Sequence, residues 1–208
     1  KGTPQGGILS PLLANVVLNE LDWWIASQWE RHPTRDTYQP GKKDGSMSSM
    51  YYALKKTRLK EVYIVRYADD FKIFCRHHNH AKRIFAAVQK WLLERLSLEI
   101  SPEKSKITNL RKGYSEFLGI KMKVRPKGKM IRKDSKKDRF VATSHLADKA
   151  RSKILHEVRR HTKLMQKPVA NEGHVFVNDY NAYVMGIHGY YCCATLCSKD
   201  FSEIAFRS

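Results

Sequence analysis

The 208-residue sequence predicts an α+β fold: an antiparallel sheet with helices on one face, followed by a helical region. Two short runs rich in β-branched and aromatic residues, 62–66 and 71–75, flank a polar link and predict a β-hairpin. The segments near 11–29 and 79–97 each carry one apolar stripe at helical spacing. Because each has a single face to bury, both helices are expected on the same face of the hairpin. From about residue 144 the apolar spacing is again helical.

Composition points to a polyanionic partner. The 39 lysine and arginine residues exceed the 20 acidic residues, giving a formal net charge of +19 that favours nucleic acid. A hydrophobic content of 42% is enough for a core. No apolar run is long enough for a membrane-spanning helix, so no membrane partner is expected. The four cysteines are too few and too clustered for a disulfide framework and fit a reducing cytoplasm.

The first residues combine a loop with a helix start. Three glycines and Pro4 within the first seven residues exclude regular structure and allow the backbone to approach a ligand closely. Ser10 and Pro11 are the predicted N-cap and first residue of a helix that extends to about Trp29. The apolar stripe of this helix predicts a place in the core.

Two adjacent aspartates occupy the tip of the predicted hairpin. A loop at 32–50 and a short basic helix at 51–60 lead into it. Asp69 and Asp70 repel each other and contribute little to a sheet, whereas their hard oxygen atoms suit a divalent cation such as Mg²⁺. A polar hairpin turn without a ligand is the structural alternative.

The segment after the hairpin is predicted to contain a helix and short strands. Asn79 is the expected cap of the helix that ends near residue 97. His77, His78 and His80 lie close together at the junction of strand and helix. No cysteine follows them nearby in the sequence, and a structural zinc site is not expected. Strands are predicted at 98–100, 106–110 and 116–124.

A band of positive charge covers residues 121–139, which contain ten lysine and arginine residues and two aspartates. Within it Lys121, Lys123 and Arg125 alternate with apolar residues, so a strand would place all three charges on one face. We call residues 121–139 the basic band and expect it to bind phosphate groups of RNA. A solvated charged face is the simpler alternative.

Helices are expected in the C-terminal region. Ser144 is predicted to cap the first, and another begins at about residue 178, where tyrosines recur at helical spacing. Aromatic residues beside basic ones can stack on bases, but so regular a stripe is more typical of a core. Metal binding is not expected of the two i,i+4 pairs, which point in different directions on a helix: His188/Cys192 and Cys193/Cys197.

Four motifs follow one another along the chain: Gly2-Thr3-Pro4-Gln5-Gly6-Gly7-Ile8-Leu9-Ser10-Pro11, Tyr67-Ala68-Asp69-Asp70, Leu98-Glu99-Ile100-Ser101-Pro102-Glu103-Lys104-Ser105-Lys106 and Phe117-Leu118-Gly119. In this order and spacing they resemble the reverse transcriptases encoded by bacterial group II introns, the maturases. The resemblance covers nearly the whole chain and weakens after about residue 124. The form of residues 5–11 is similar to the group II type and argues against the diversity-generating class.

The resemblance implies a partial polymerase palm followed by a helical thumb. Residues 1–125 would be the palm, 126–143 a basic connection, and 144–208 a thumb similar to the maturase X domain. In the family, one catalytic aspartate and the fingers precede the glycine-rich block, and this chain starts after them without an initiator methionine. We therefore expect a piece of a longer protein that is inactive alone, with an exposed sheet edge or an intermolecular contact replacing the lost strand.

The resemblance also implies roles for single residues. Two Mg²⁺ ions would be held by Asp69, by Asp70 in a supporting role, and by an aspartate outside this chain. The pocket for the incoming nucleotide and the template base would be formed by Pro4, Gln5, Gly6 and Ala68. The leaving pyrophosphate would be stabilised by Lys104, with Lys106 as the alternative. The primer end would be gripped by the turn Phe117-Leu118-Gly119.

The implied function is RNA-directed DNA polymerase, a reverse transcriptase that also binds intron RNA. Its partners would be an RNA template, a DNA primer and deoxynucleoside triphosphates, and its location the bacterial cytoplasm within a ribonucleoprotein. The alternative is an RNA-binding splicing factor without polymerase activity, which would use the same basic surface. Asp69 and Asp70 favour the polymerase, because a pure RNA binder gains nothing from carboxylates beside phosphates.

Overall fold

A computed structural model describes residues 9–34, 47–132, 135–167 and 173–208. Pro4, Gln5 and Gly6, and most of the loop predicted at 32–50, lie outside these residues. The chain divides into two compact units, the first ending at Ile107 and the second extending from Thr108 to Ser208. Helices and strands occur in both, which agrees with the predicted α+β class.

The first unit contains three helices and one β-hairpin. The helices are α1 (Ser10–Gln28), α2 (Met47–Lys55) and α3 (His78–Leu96), and the strands are β1 (Val62–Tyr67) and β2 (Asp70–Cys75). The two strands pair in antiparallel register, with Val62 opposite Cys75 and Tyr67 opposite Asp70. The hairpin predicted from the two apolar runs is therefore confirmed. No further described strand pairs with it, so both outer edges lack a strand partner in that part of the chain.

Helix α3 and the second half of α1 bury apolar residues in one cluster with the hairpin. The first half of the α1 stripe is not in the core as predicted, because Leu13 and Val17 are 50% and 43% exposed. Leu21 and Ile25 of α1 and the following Trp29 are fully buried, and Val88 and Leu92 of α3 are nearly so. The indole rings of Trp24 and Trp91 stack with their centroids 5.6 Å apart, which joins the two helices directly. Both helices thus pack side by side on the hairpin, as their single apolar stripes predict.

The second unit contains a three-stranded sheet and three helices. Its elements are β3 (Ser115–Phe117), β4 (Ile120–Arg132), β5 (Ser135–Leu146), α4 (Asp148–Gln166), α5 (Gly173–Tyr191) and α6 (Cys197–Arg207). Strands β4 and β5 form a long antiparallel ribbon, and β3 pairs only with the first residues of β4. Among all described helices of the chain, none combines the length and the apolar character needed to cross a bilayer.

A buried carboxylate closes the core of the second unit. Leu146, Ile154 and Ile204 form its centre, and the tyrosines of α5 pack around them as predicted. Asp200 of α6 is only 2% exposed and accepts hydrogen bonds from the Leu146 amide at 2.9 Å and from His145 Nδ1 at 3.1 Å. The end of β5 is thereby joined to the first turn of α6.

Three strand predictions were wrong in detail. Residues 98–100 and 106–110 form no strand, and the predicted strand at 116–124 is divided by a turn into β3 and β4. Leu118 and Gly119 in this turn have φ angles of 51° and 74°, which suit a two-residue hairpin connection. Most of residues 126–143, the predicted basic connection, lie in β4 and β5, and the two compact units meet in sequence at 107/108.

The helix caps also differ from the predictions for Ser10, Asn79 and Ser144. The observed N-caps are Leu9, His77 and Ala147, and none of them donates or accepts a side-chain capping hydrogen bond. Ser144 lies in β5, where its amide donates to Thr195 Oγ1 at 2.8 Å and its Oγ accepts from the Thr195 amide at 2.9 Å. A contact between distant segments therefore takes the place of the local cap.

The β3–β4 turn generates a stability prediction. A Cβ atom on Gly119 would lie 2.9 Å from Tyr191 Oη, whereas Gly128 has a similar φ of 70° and nothing within 4 Å of such an atom. Gly128→Ala should lower the free energy of unfolding of the second unit by about 1 kcal/mol through backbone strain alone. Gly119→Ala should cost about 1–3 kcal/mol more, because the new methyl group overlaps the tyrosine hydroxyl.

Urea denaturation of both variants would measure this difference. Adding Tyr191→Phe to Gly119→Ala removes the overlapping oxygen and should recover much of the extra loss. Equal losses for Gly119→Ala and Gly128→Ala would contradict the close contact between the turn and α5.

Candidate functional site

The hairpin tip presents two carboxylates to solvent. Strand β1 ends at Tyr67 and β2 begins at Asp70, so Ala68 and Asp69 form the connection. Ala68 has a φ of 53°, in the left-handed region that two-residue hairpin turns require. Asp69 and Asp70 are exposed, and neither carboxylate has a hydrogen bond or ion pair with the described part of the protein. Both are therefore available to an external ligand.

A guanidinium group anchors this tip to α1. Arg66 Nε lies 3.0 Å from both carboxylate oxygens of Asp22, and Nη2 lies 2.7 Å from one of them. Its Nη1 donates to Asn15 Oδ1 at 2.7 Å and to the Ala68 carbonyl at 2.8 Å. The Arg66 side chain is 10% exposed. One side chain thus fixes both the helix and the backbone of the turn.

Sequence patterns do not by themselves point to Arg66 and Asp22. A weak signal exists, because Arg66 follows Val62 and Ile64 at the alternate positions of β1 that face the core, where a charge needs a partner. Asp22 likewise adjoins the fully buried Leu21 in α1. Neither signal identifies the pairing across 44 residues.

The donor chemistry of the tip fits part of a divalent metal site. Mg²⁺ takes oxygen ligands from one or two carboxylates, and Asp69 and Asp70 supply two of this type. Over residues 9–34, 47–132, 135–167 and 173–208, no group of three histidine, cysteine or acidic residues is arranged to hold a metal ion. Any third protein ligand for an ion at the tip must come from elsewhere.

The lysines predicted to face the pyrophosphate lie in an irregular segment of the first unit. Lys104 and Lys106 are both exposed, and neither forms an ion pair with a described residue. Exposure and ion pairing do not distinguish the two lysines, so both remain candidates for the residue that faces the pyrophosphate.

The predicted primer-gripping residues form a braced turn in the second unit. The Leu118 carbonyl accepts a hydrogen bond from Tyr190 Oη at 3.2 Å, and the Gly119 carbonyl accepts one from the Ala147 amide at 2.8 Å. Two helices therefore hold the backbone of this turn. Asp69 and Asp70 belong to the first unit, so the two groups of predicted site residues lie in different compact units.

Three cations of the basic band share one face of β4, as predicted. Lys121 Nζ and Lys123 Nζ lie 5.3 and 5.2 Å from the ring centroid of Tyr114, and Arg125 Nη2 donates to Tyr114 Oη at 2.7 Å. Tyr114 was absent from the predicted site. It lies one residue before β3, outside the alternating pattern that identified the cations.

The three cations differ in how far their charge is compensated. The Lys121 side chain is 14% exposed and pairs with Asp148 at 2.5 Å. The hydrogen bond from Lys121 lowers the pKa of the Asp148 carboxyl. No described carboxylate pairs with Lys123 or Arg125, and Arg125 is exposed. Lys123 and Arg125 are therefore the members of this face best able to bind phosphate.

Comparison with known proteins adds an independent observation. The sequence model of the family described as "Reverse transcriptase (RNA-dependent DNA polymerase)" matches residues 1–122. The chain is 33% identical over 170 residues to the "Putative COX1/OXI3 intron 2 protein" of Saccharomyces cerevisiae, which covers 69% of this chain and 20% of that protein.

Two bacterial proteins are also similar. The "Group II intron-encoded protein LtrA" of Lactococcus lactis subsp. cremoris is 30% identical over 170 residues, covering 66% of this chain and 28% of LtrA. "Protein YkfC" of Escherichia coli is 27% identical over 130 residues, covering 59% of this chain and 32% of YkfC. The matched regions thus span a third or less of each of these three relatives.

The Arg66–Asp22 contact generates a prediction about the tip. Asp22→Asn removes the anionic partner of a largely buried guanidinium and should lower the free energy of unfolding of the first unit by about 1–3 kcal/mol. Amide hydrogen exchange in residues 66–70 should become faster, because the group that holds the Ala68 carbonyl loses its own support.

Glu20→Gln is the matched control on the same helix. Its carboxylate is 60% exposed and lies 3.9 Å from Arg95, so its loss should change stability by less than about 1 kcal/mol. If amide hydrogen exchange in residues 66–70 is as slow in Asp22→Asn as in Glu20→Gln, the contact between Arg66 and Asp22 does not restrain the turn.

Proposed function

Because the chain belongs to the reverse transcriptase (RNA-dependent DNA polymerase) family, we propose that it supplies part of the palm and the thumb of an RNA-directed DNA polymerase encoded by a group II intron. The sequence resemblance to group II intron-encoded proteins is confirmed by the relatives. The observation that supports catalysis most directly is the hairpin tip, where two exposed carboxylates without a partner among the described residues project from an anchored turn.

Asp69 and Asp70 are the proposed protein ligands of divalent metal at the tip, and Mg²⁺ is the proposed ion. When bound there, a pair of such ions supplies Lewis-acid activation of the primer hydroxyl and charge stabilisation at the phosphates. Arg66 is the proposed positioning residue, because its bond to the Ala68 carbonyl limits the conformations that the turn can adopt. The small Ala68 would leave room for the primer end or the incoming sugar.

The reaction is the transfer of a nucleotidyl group to a primer 3′-hydroxyl. The 3′-hydroxyl gives up its proton to solvent and its oxygen forms a bond to the α-phosphorus of the deoxynucleoside triphosphate. The bond between the α-phosphorus and the oxygen that bridges it to the β-phosphorus breaks, and pyrophosphate leaves. Pro4, Gln5 and Gly6 are proposed to line the nucleotide and template pocket. Lys104 or Lys106 would stabilise or protonate the leaving pyrophosphate.

The second unit is proposed to hold nucleic acid. The braced turn Phe117-Leu118-Gly119 would support the primer end, and Lys123 and Arg125 would bind phosphates of template or intron RNA. Helices α4, α5 and α6 would form the thumb. The basic face of β4 supports this assignment, because phosphate contacts dominate the affinity of most nucleic-acid-binding proteins.

The 208-residue chain is proposed to be inactive by itself. Its tip supplies two carboxylates, and the two-metal site of a polymerase would need a further aspartate from outside this chain. A cytoplasmic ribonucleoprotein is the proposed location. The four cysteines support it, because all are free thiols.

An RNA-binding splicing factor without polymerase activity is the second candidate. The cations around Tyr114 favour it as much as they favour a polymerase, because binding to intron RNA needs only this surface. The two candidates differ in whether the exposed carboxylates of Asp69 and Asp70 take part in the reaction.

Asp69→Asn tests the polymerase proposal in the complete protein to which this chain belongs. The amide keeps the shape of the side chain but removes an anionic metal ligand, so primer extension on an RNA template should fall by several orders of magnitude. Binding of the same RNA should change little. Asp179→Asn on α5 is the control, because Asp179 is equally exposed but distant in sequence from the hairpin.

Primer extension with labelled DNA and filter binding with labelled RNA would give the two readouts. Near-normal extension by Asp69→Asn would overturn the catalytic assignment. If the unaltered protein never extends a primer yet promotes splicing, the splicing-factor proposal replaces it.

The basic band generates a separate prediction about RNA binding. Lys123→Gln with Arg125→Gln should weaken RNA affinity and reduce the slope of log affinity against log salt by roughly 1.5, since each phosphate contact contributes about 0.7–0.9. Lys121→Gln should have a smaller effect, because Asp148 already compensates that charge.

Lys149→Gln with Lys199→Gln is the matched control, since both lysines are exposed in the same unit and the charge lost is equal. Fluorescence anisotropy with one RNA at several salt concentrations would measure the slopes. Identical slopes for the two double variants would mean that the face around Tyr114 makes no specific phosphate contact.

A further inference from the structure

A cationic pocket lies at the end of the hairpin away from the two aspartates. It has a volume of about 200 Å³ and is lined by Lys60, His77, Asn79, His80 and Arg83. Lys60 precedes β1, His77 follows β2, and the other three residues lie in the first two turns of α3. Because β2 extends over six residues from Asp70 to Cys75, the pocket and the tip are separated by roughly 20 Å of strand.

No carboxylate of the described residues compensates the positive charge of this pocket. Its lining contains Lys60, Arg83 and two imidazoles but no carboxylate. Glu61, next to Lys60, instead faces Lys55 and Arg76, each at 3.6 Å. The first turn of α3 contains no acidic side chain. Within the described chain, neither Lys60 nor Arg83 forms an ion pair.

The surroundings of His80 show the same excess of positive charge. Partial burial lowers the pKa of its imidazole below the usual value, and the positive charges of Lys60, Arg83 and His77 lower it further. No carboxylate is among the groups that act on this pKa. An anion in the pocket would oppose all three positive charges and would favour protonation of His80.

We propose that this pocket binds a phosphate group, either from a nucleic-acid backbone or from a small free phosphate. A tetrahedral phosphate offers several oxygen atoms in different directions, which suits donors that converge from a strand end and from a helix. Lys60 and Arg83 would supply charge, and Asn79 and the imidazoles would supply directed hydrogen bonds. The same charges disfavour a metal cation as the occupant. The inference does not rest on the polymerase proposal.

Sulfate titration of the 208-residue chain tests the shared chemistry. Sulfate stays dianionic between pH 5.5 and 8, so any pH dependence comes from the protein. The ring proton resonances of His80 should shift in a saturable manner, and the affinity should rise as the pH falls, because His80 gains a proton beside Lys60 and Arg83. A non-saturable shift, or an affinity independent of pH, would overturn the proposal.

Neighbouring residues on α3 provide the matched variants. Arg83→Gln removes a cation that lines the pocket and should weaken sulfate binding roughly tenfold. Lys82→Gln removes the same charge from the adjacent exposed position, which is not part of the lining, and should leave the affinity within about twofold. Amide spectra of both variants would verify folding. Equal effects of the two substitutions on sulfate affinity would show that sulfate binds to a general basic surface and not to this pocket.

RNA binding distinguishes the two sources of phosphate. If the pocket holds a backbone phosphate, Arg83→Gln should lower the slope of log RNA affinity against log salt by about 0.7–0.9, and Lys82→Gln should not. If sulfate binding is saturable but the RNA slope is unchanged, the pocket serves a small free phosphate. If sulfate binding is not saturable and Arg83→Gln does not change the RNA slope, the inference is refuted, whatever the outcome for Asp69→Asn.

Discussion

The contact between Arg66 and Asp22 is the interaction on which the first unit depends. A guanidinium group carries a permanent charge, and placing it beneath a sheet is favourable only if fixed acceptors surround it. Asp22, Asn15 and the Ala68 carbonyl provide these acceptors. The hydrogen bonds that satisfy the buried charge also set the distance between α1 and the hairpin. The positions of the exposed carboxylates at the tip therefore depend on the packing beneath them.

Local sequence patterns predicted which helices and strands form better than they predicted where these helices and strands begin and end. Alternation over β1 and β2, and the single stripes of α1 and α3, depend on burial that repeats every few residues, and the structure has all four. Caps and turns depend on partners that are distant in sequence. Ser144 bonds to Thr195 rather than capping a helix, and the turn at 118–119 lacks the usual Asn-Gly signal.

The sequence predicted those residues of the candidate site that are adjacent to one another along the chain. Asp69 and Asp70 stand out because two carboxylates at a hairpin tip conflict with simple sheet structure. Arg66 and Tyr114 do not stand out, because their importance arises only from what folding places beside them. The compensation of Lys121 by Asp148 has the same origin, since 27 residues separate the two.

Tyr114 has a consequence for the entropy of binding. Free lysine and arginine side chains lose up to about 2 kcal/mol of rotamer freedom each when a partner immobilises them. Lys123 and Arg125 already rest against one aromatic ring, the first through its π face and the second through its hydroxyl. Much of their freedom is therefore lost on folding rather than on association, and a rigid polyanion would meet charges that are already in place.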